Sequence, residues 1–421
     1  MELMTKYQYT YFIKPFLIKE NKYDKYLLKL LKDKNCKLKV FEKERDLNIY
    51  SYFLQNVRDY FFPTFNYDKE KVKKLEQIDN EMKAVIISKL HCNIFEYTLG
   101  KEIQGKIDDK NCIYFSINKI EIICLDTGIC FLVIKTTLEN SNYLSEVLDF
   151  NYKFKDINSE FYKLKAFNNI KIQTDKFGSM KDLSNFINEI IGVKDSFSNN
   201  KDMDIYDKRF FTYSYVCIDQ NYWNETSKFE QLQDEFYKFS KVHSKSYNSS
   251  TNIESMEEDI GYPQTIDKWE YARFGFTKQS GSLFSSNIDF RNYTTLLYEY
   301  EHEYLYTLII SLYQRIYLKK ISSGFKGKKD ISSARKSFTK FTEEVWFGEI
   351  TNSETGSLLH TSWKKVFELD ETYAEIKNKY DIIYKQLGIN GHNVANRIIF
   401  AALIVSLALN VVNLIMLMKI M

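Results

Sequence analysis

Twenty-one consecutive residues, Ile398 to Met418 (IIFAALIVSLALNVVNLIMLM), carry no charge and lie between Arg397 and Lys419. As a helix they would be about 30 Å long, which matches the hydrocarbon core of a bilayer. The stretch predicts one membrane-spanning helix. Ser406, Asn410 and Asn413 are its only polar residues, and their i, i+4, i+7 spacing puts them on one face. A face of hydroxyl and amide groups avoids lipid, so it reads as a helix–helix contact stripe or, where symmetry-related copies meet, as the lining of a pore. Lys377, Lys379, Lys385 and Arg397 precede the run and only Lys419 follows it, an asymmetry that places the bulk of the chain in the cytoplasm. The opening MELMTKYQYTYFIK lacks the pattern of a signal peptide. The expected topology is a tail anchor in a bacterial inner membrane.

The 421 residues carry a net charge of +3, which gives no electrostatic support for direct nucleic-acid binding. Six cysteines, Cys36, Cys92, Cys112, Cys124, Cys130 and Cys217, form no CxxC pair and sit among apolar residues, as reduced core thiols do. His91 beside Cys92 invites a zinc reading, but no second ligand pair stands at metal spacing, so no metal is expected. No nucleophile elbow, HExxH or phosphate-binding P-loop occurs, and the chain reads as a non-enzyme without a cofactor.

Along the first 289 residues, β-like runs such as TYFIKPFL and KRFFTYSYVCI alternate with helical ones. Ile113 to Leu125 and Ile129 to Leu138 are rich in β-branched and aromatic residues and predict a hairpin across Asp126-Thr127-Gly128. That tripeptide is also the signature of aspartic proteases, which need two such carboxylates. A single copy between two apolar strands favours the turn, because Asp and Gly tolerate its φ values. The expected fold is an α+β cytoplasmic domain with an antiparallel sheet over 1–289, a long-helix stalk over 290–391, and the transmembrane helix over 392–421.

In the stalk, Arg291 to Ile321 contains neither Pro nor Gly and would reach about 45 Å as one helix. Val366, Leu369, Tyr373, Ile376, Tyr380, Ile383 and Leu387 alternate spacings of three and four, a heptad seam for a coiled coil or for packing on the chain's own domain. Gly388 and Gly391 interrupt helix propensity just before the span and form a hinge candidate. Arg273, Lys278, Arg291, Arg315 and the cluster Lys326, Lys328 and Lys329 are candidate contacts for a phosphate-bearing ligand, against a bland reading as solvated surface.

The hairpin KIEIICLDTGICFLVIK (Lys119 to Lys135), the helix YLYTLIISLYQRIYLKKIS (Tyr304 to Ser322) and the closing run from Glu375 to Ile415 together resemble the CorA-like divalent-metal transporter superfamily. The resemblance implies a funnel-like homo-oligomer, a tetramer or pentamer, with C-terminal helices clustered on an axis. Members of that superfamily carry two spans and a Gly-Met-Asn motif after the first. Here one candidate span exists and Gly388-Ile389-Asn390 precedes it, so magnesium transport is not carried over. Divergent CorA-like proteins also occur among CRISPR-linked antiviral effectors, which makes a nucleotide second messenger an implied partner beside the lipid bilayer. The expected function is an oligomeric channel whose cytoplasmic domain senses a ligand and gates an ion pathway. The alternative is a tail-anchored scaffold or sensor that conducts nothing.

Overall fold

The computed structural model describes residues 2–99, 104–107, 113–139, 142–157, 170–173, 181–192, 208–247, 263–325, 331–383 and 403. Its frame is one twelve-stranded sheet. The strands are β1 (Thr5–Leu17), β2 (Cys36–Leu38), β3 (Cys92–Tyr97), β4 (Gln104–Ile107), β5 (Ile113–Leu125), β6 (Ile129–Leu138), β7 (Ile170–Gln173), β8 (Lys181–Asp182), β9 (Phe211–Ile218), β10 (Gln264–Trp269), β11 (Ala272–Phe276) and β12 (Ser280–Ser286). They lie in the order β10-β11-β12-β9-β1-β6-β5-β4-β7-β8, and β3 pairs the C-terminal half of β5 and carries β2.

The β5–β6 hairpin has the bounds that the sequence predicts, with Gly128 at φ 78 closing its turn. Among the described residues the sheet is antiparallel, as expected, in every strand pair but one, and that one pair makes it mixed. β9 and β12 run parallel, with Ser282 opposite Ser214, because the chain between them crosses over through the helix Gln233–Lys241 before returning by the β10–β11 hairpin. All eight residues of β9 are buried, as a strand covered on both faces requires.

Strand alternation divides the core in two. Tyr9, Tyr11 and Ile13 of β1 point to one face with Phe131 and Val133 of β6, where the helices Gln55–Phe61, Leu305–Gly324 and Glu354–Phe367 pack. Phe12 and Phe16 point to the other with Leu132 and Ile134, against the helices Tyr23–Lys32, Leu144–Phe154, Leu183–Ile191 and Gln233–Lys241. The result is an α+β architecture with helices on both faces of the sheet.

Among the described residues, no helix is long and apolar enough to cross a membrane. The expected single C-terminal span, the inner-membrane placement and the membrane-channel character built on them are corrected accordingly: no described helix supports them. Ile398 to Met418 lies outside the described residues except for Leu403, and with it lie Ser406, Asn410, Asn413 and the hinge glycines Gly388 and Gly391. The longest described helix, Leu305–Gly324, is apolar for a different reason. It carries Arg315, Lys319 and Lys320, yet fourteen of its twenty residues are buried inside the protein, where helices apolar on most sides belong.

The expected unbroken helix from Arg291 to Ile321 is also corrected. A 3₁₀ turn (Phe290–Tyr293) leads into a short α-helix (Thr295–Glu299) and then a π-helical turn (Tyr300–Tyr304) before Leu305–Gly324 begins. The cause is visible at Tyr300. Its carbonyl accepts a hydrogen bond from the Tyr213 hydroxyl at 3.1 Å and its own hydroxyl donates to the Ser214 carbonyl at 3.0 Å, so a side chain from β9 competes for the helix ladder.

The heptad seam packs on the chain's own body, which corrects the coiled-coil expectation. Leu369 and Ile376 are buried in the core shared with Tyr9 and Trp363. Tyr373 stacks on Trp346 with centroids 4.5 Å apart, and Tyr380 lies 5.4 Å from Phe338. Spacing of three and four marks one apolar face of a helix, and that face is satisfied equally well by the same chain.

Candidate anion-binding site

Five structural elements meet beside the N-terminal end of β9 and line an open cavity of about 500 Å³. Lys155 follows the helix Leu144–Phe154, and Arg209 precedes β9. Lys241 and Val242 end the helix Gln233–Lys241, and Thr277 to Ser280 form the β11–β12 turn. Lys365, Val366 and Glu368 close the helix Glu354–Phe367. A smaller cavity of about 150 Å³ adjoins it and shares Arg209, Phe210, Lys278 and Gln279, to which Phe211, Arg315 and Lys319 are added.

Charge is the outstanding property of the lining. The larger cavity is bordered by Lys155, Arg209, Lys241, Lys278 and Lys365 against one carboxylate, Glu368. Burial pushes the Lys155 ammonium down to about 8, with Arg209 adding repulsion against the pull of Asp156. Burial likewise pushes His243 down to about 4, helped by the positive charges of Lys155 and Lys241. In both groups burial is the first cause, and neighbouring cations add to it.

Local chemistry fixes these groups. Lys155 donates to the Val242 carbonyl at 2.7 Å, and its own carbonyl accepts from Phe210 N–H at 2.9 Å. Arg209 Nε lies 2.5 Å from Asp156 Oδ1. In the turn, the Thr277 hydroxyl accepts from Ser280 N–H at 2.9 Å and from Gln279 N–H at 3.2 Å, which sets Lys278 and Gln279 at its tip. Lys278 Nζ reaches Glu368 Oε1 at 2.6 Å, and Arg315 Nη1 donates to the Lys278 carbonyl at 2.7 Å while its guanidinium covers the Phe367 ring at 4.7 Å.

Backbone strain gathers here as well. Val242 and Glu368, both at φ 54, are the two non-glycine residues with positive φ among the described residues, and both line the cavity. A left-handed conformation is unfavourable for L-residues and most so for a β-branched one, and such strain concentrates at functional sites.

No family model, curated protein or solved structure matches the chain.

Of the basic residues singled out in sequence, the fold brings together Lys278 and Arg315. Arg273 lies elsewhere, its guanidinium over the Phe229 ring at 5.0 Å and donating to the Ala272 carbonyl at 3.0 Å. Arg291 is exposed in the 3₁₀ turn Phe290–Tyr293, away from the cavity. Lys326, Lys328 and Lys329 lie outside the described residues. Lys155, Arg209, Lys241 and Lys365 were missed, since nothing local in the sequence ties together four residues spread over 210 positions.

The Asp126-Thr127-Gly128 turn has its own polar cluster. Asp126 Oδ2 lies 3.0 Å from His91 Nδ1 and 2.7 Å from Lys340 Nζ, and the His91 ring stacks on Tyr60 with centroids 4.5 Å apart. Burial raises the Asp126 carboxyl, but the His91 and Lys340 hydrogen bonds outweigh it and leave the group below its ordinary value. The cluster ties the hairpin to the helix Ile331–Lys340. His91 and Cys92 diverge, the latter being buried in the apolar core, and among the described residues no group of three or more His, Cys, Asp or Glu is placed to hold a metal.

Proposed function

We propose that this protein binds a small phosphorylated anion and acts as a sensor of it rather than as an enzyme. The observation that carries the reading is the cavity of about 500 Å³ with five basic side chains and one acidic one. Its volume falls in the range of small-molecule sites, and a cleft lined by cations concentrates anions. Arg209 offers a planar fork suited to a phosphate, while the lysines act as point charges. Phe210, Phe276, Val242 and Val366 give apolar surface for the rest of the ligand. The lining contains no His, Cys or Asp, and Glu368, its one carboxylate, is engaged by Lys278. The ligand-sensing half of the expected function is retained in this proposal, without the ion pathway.

Calorimetric titration at 0.15 M salt with inorganic phosphate, adenosine monophosphate and adenosine triphosphate tests the reading. Saturable binding of at least one, lost on Lys365→Glu in a variant with unchanged circular dichroism, is the expected result. Absence of binding by all three, or binding unaffected by that charge reversal, would refute it.

A further inference from the structure

The cavity is divided. Its two lobes share Arg209, Phe210, Lys278 and Gln279, and each has cations of its own: Lys155, Lys241 and Lys365 in the larger, Arg315 and Lys319 in the smaller. The smaller lobe, of about 150 Å³, has no acidic residue in its lining, and it is too confined for more than a compact group. Arg315 is held from two sides, by the Lys278 carbonyl and by the Phe367 ring, while its Nε is buried without a hydrogen-bond partner. A guanidinium whose plane is fixed by its surroundings is an anion receptor prepared in advance.

We propose that the ligand is an oligophosphate rather than a monophosphate, with its terminal phosphate seated in the small lobe by Arg315 and Lys319 and its body in the large one. Resting on the phosphorylated-anion reading above, this assigns a division of labour. Arg209 and Lys278, common to both lobes, face the bridging phosphate, while the large lobe takes the organic part beside Phe276 and Val366. Selectivity then comes from distance between charges and not from total charge alone, since a monophosphate reaches the cations of one lobe only.

Titration of the full chain with adenosine mono-, di- and triphosphate, without divalent metal and at 0.15 M salt, decides the matter. The expected result is a rise in affinity of at least tenfold from mono- to triphosphate in the native protein. In Lys319→Ala the triphosphate should fall to the monophosphate's affinity, with the monophosphate itself unchanged. Arg315→Lys provides a second variant, which keeps the charge but loses the fork, and it should weaken the triphosphate selectively. Equal affinities for mono- and triphosphate, or a Lys319→Ala loss shared equally by all three, would overturn the two-lobed assignment and leave the simpler reading standing. Binding of none of the three would overturn both.

Discussion

Lys278 and Glu368 join across the cavity mouth at 2.6 Å, one at the tip of the β11–β12 turn and the other in a left-handed conformation just past the helix Glu354–Phe367. Both side chains are more than half exposed, so the ion pair contributes at most about 1 kcal/mol. The left-handed backbone costs a non-glycine residue about 1 kcal/mol. Glu368→Gly is therefore expected to leave stability within about 0.5 kcal/mol of the native protein, whereas Glu368→Ala loses the pair, keeps the strain and costs about 0.5–1 kcal/mol. Urea denaturation checks the difference. Both variants should bind phosphate compounds more tightly, because the carboxylate that engages Lys278 is gone.

Lys155 makes the site dependent on pH. Its folded-state value of about 8 lies below the ordinary lysine value of about 10.4, so the charged form is disfavoured by folding. The resulting cost is fully present below pH 8 and disappears as pH rises from about 8 to 10.4, which amounts to up to about 3 kcal/mol. Lys155→Met should stabilise the protein at pH 7, with the gain fading toward pH 10.4. A bound anion favours the ammonium, so affinity should fall as pH rises through 8. Paired denaturation and titration series across pH 6 to 10 provide the check.

Asp126 and His91 stabilise the hairpin between two limits. The carboxyl is held below its ordinary value of about 3.9, so its contribution is present above that pH and is lost as pH falls through the lower folded value. The Asp126 hydrogen bond raises His91 above its ordinary value of about 6.5, so that contribution is present below 6.5 and is lost as pH rises through the raised value. Asp126→Asn should cost about 1–3 kcal/mol at pH 6 and flatten both limbs of the stability profile. It should leave phosphate binding unchanged. Peptidase activity abolished by the substitution would contradict the structural role given to this turn.

Gly281 and Trp363 tie the C-terminal helices to the sheet. A Cβ at Gly281 would lie 2.7 Å from Trp363 Cη2 and 3.0 Å from Tyr213 Cδ2. Gly281→Ala should cost about 1–3 kcal/mol by overpacking, and Trp363→Ala about 3–5 kcal/mol by leaving a cavity. Thermal melts of both should retain one transition, since residues on either side of position 289 share a hydrophobic cluster.

The local pattern in the sequence was sufficient where neighbouring residues carry the information. The hairpin Ile113–Leu125 and Ile129–Leu138 follows from β-branched residues interrupted by Asp126-Thr127-Gly128. What an apolar surface is buried against has no local signature. The seam through Leu369 and Ile376 suits a second chain or the same one, and only packing on Phe338 and Trp346 settles it. The parallel pairing of β9 with β12 depends on a crossover of some sixty residues, which strand propensity does not encode. Lys278 and Arg315 could be picked out as basic residues in sequence, but their union with Lys155, Arg209, Lys241 and Lys365 was decided by the tertiary structure, because charges far apart along the chain act on one ligand only when folding brings them within reach of it.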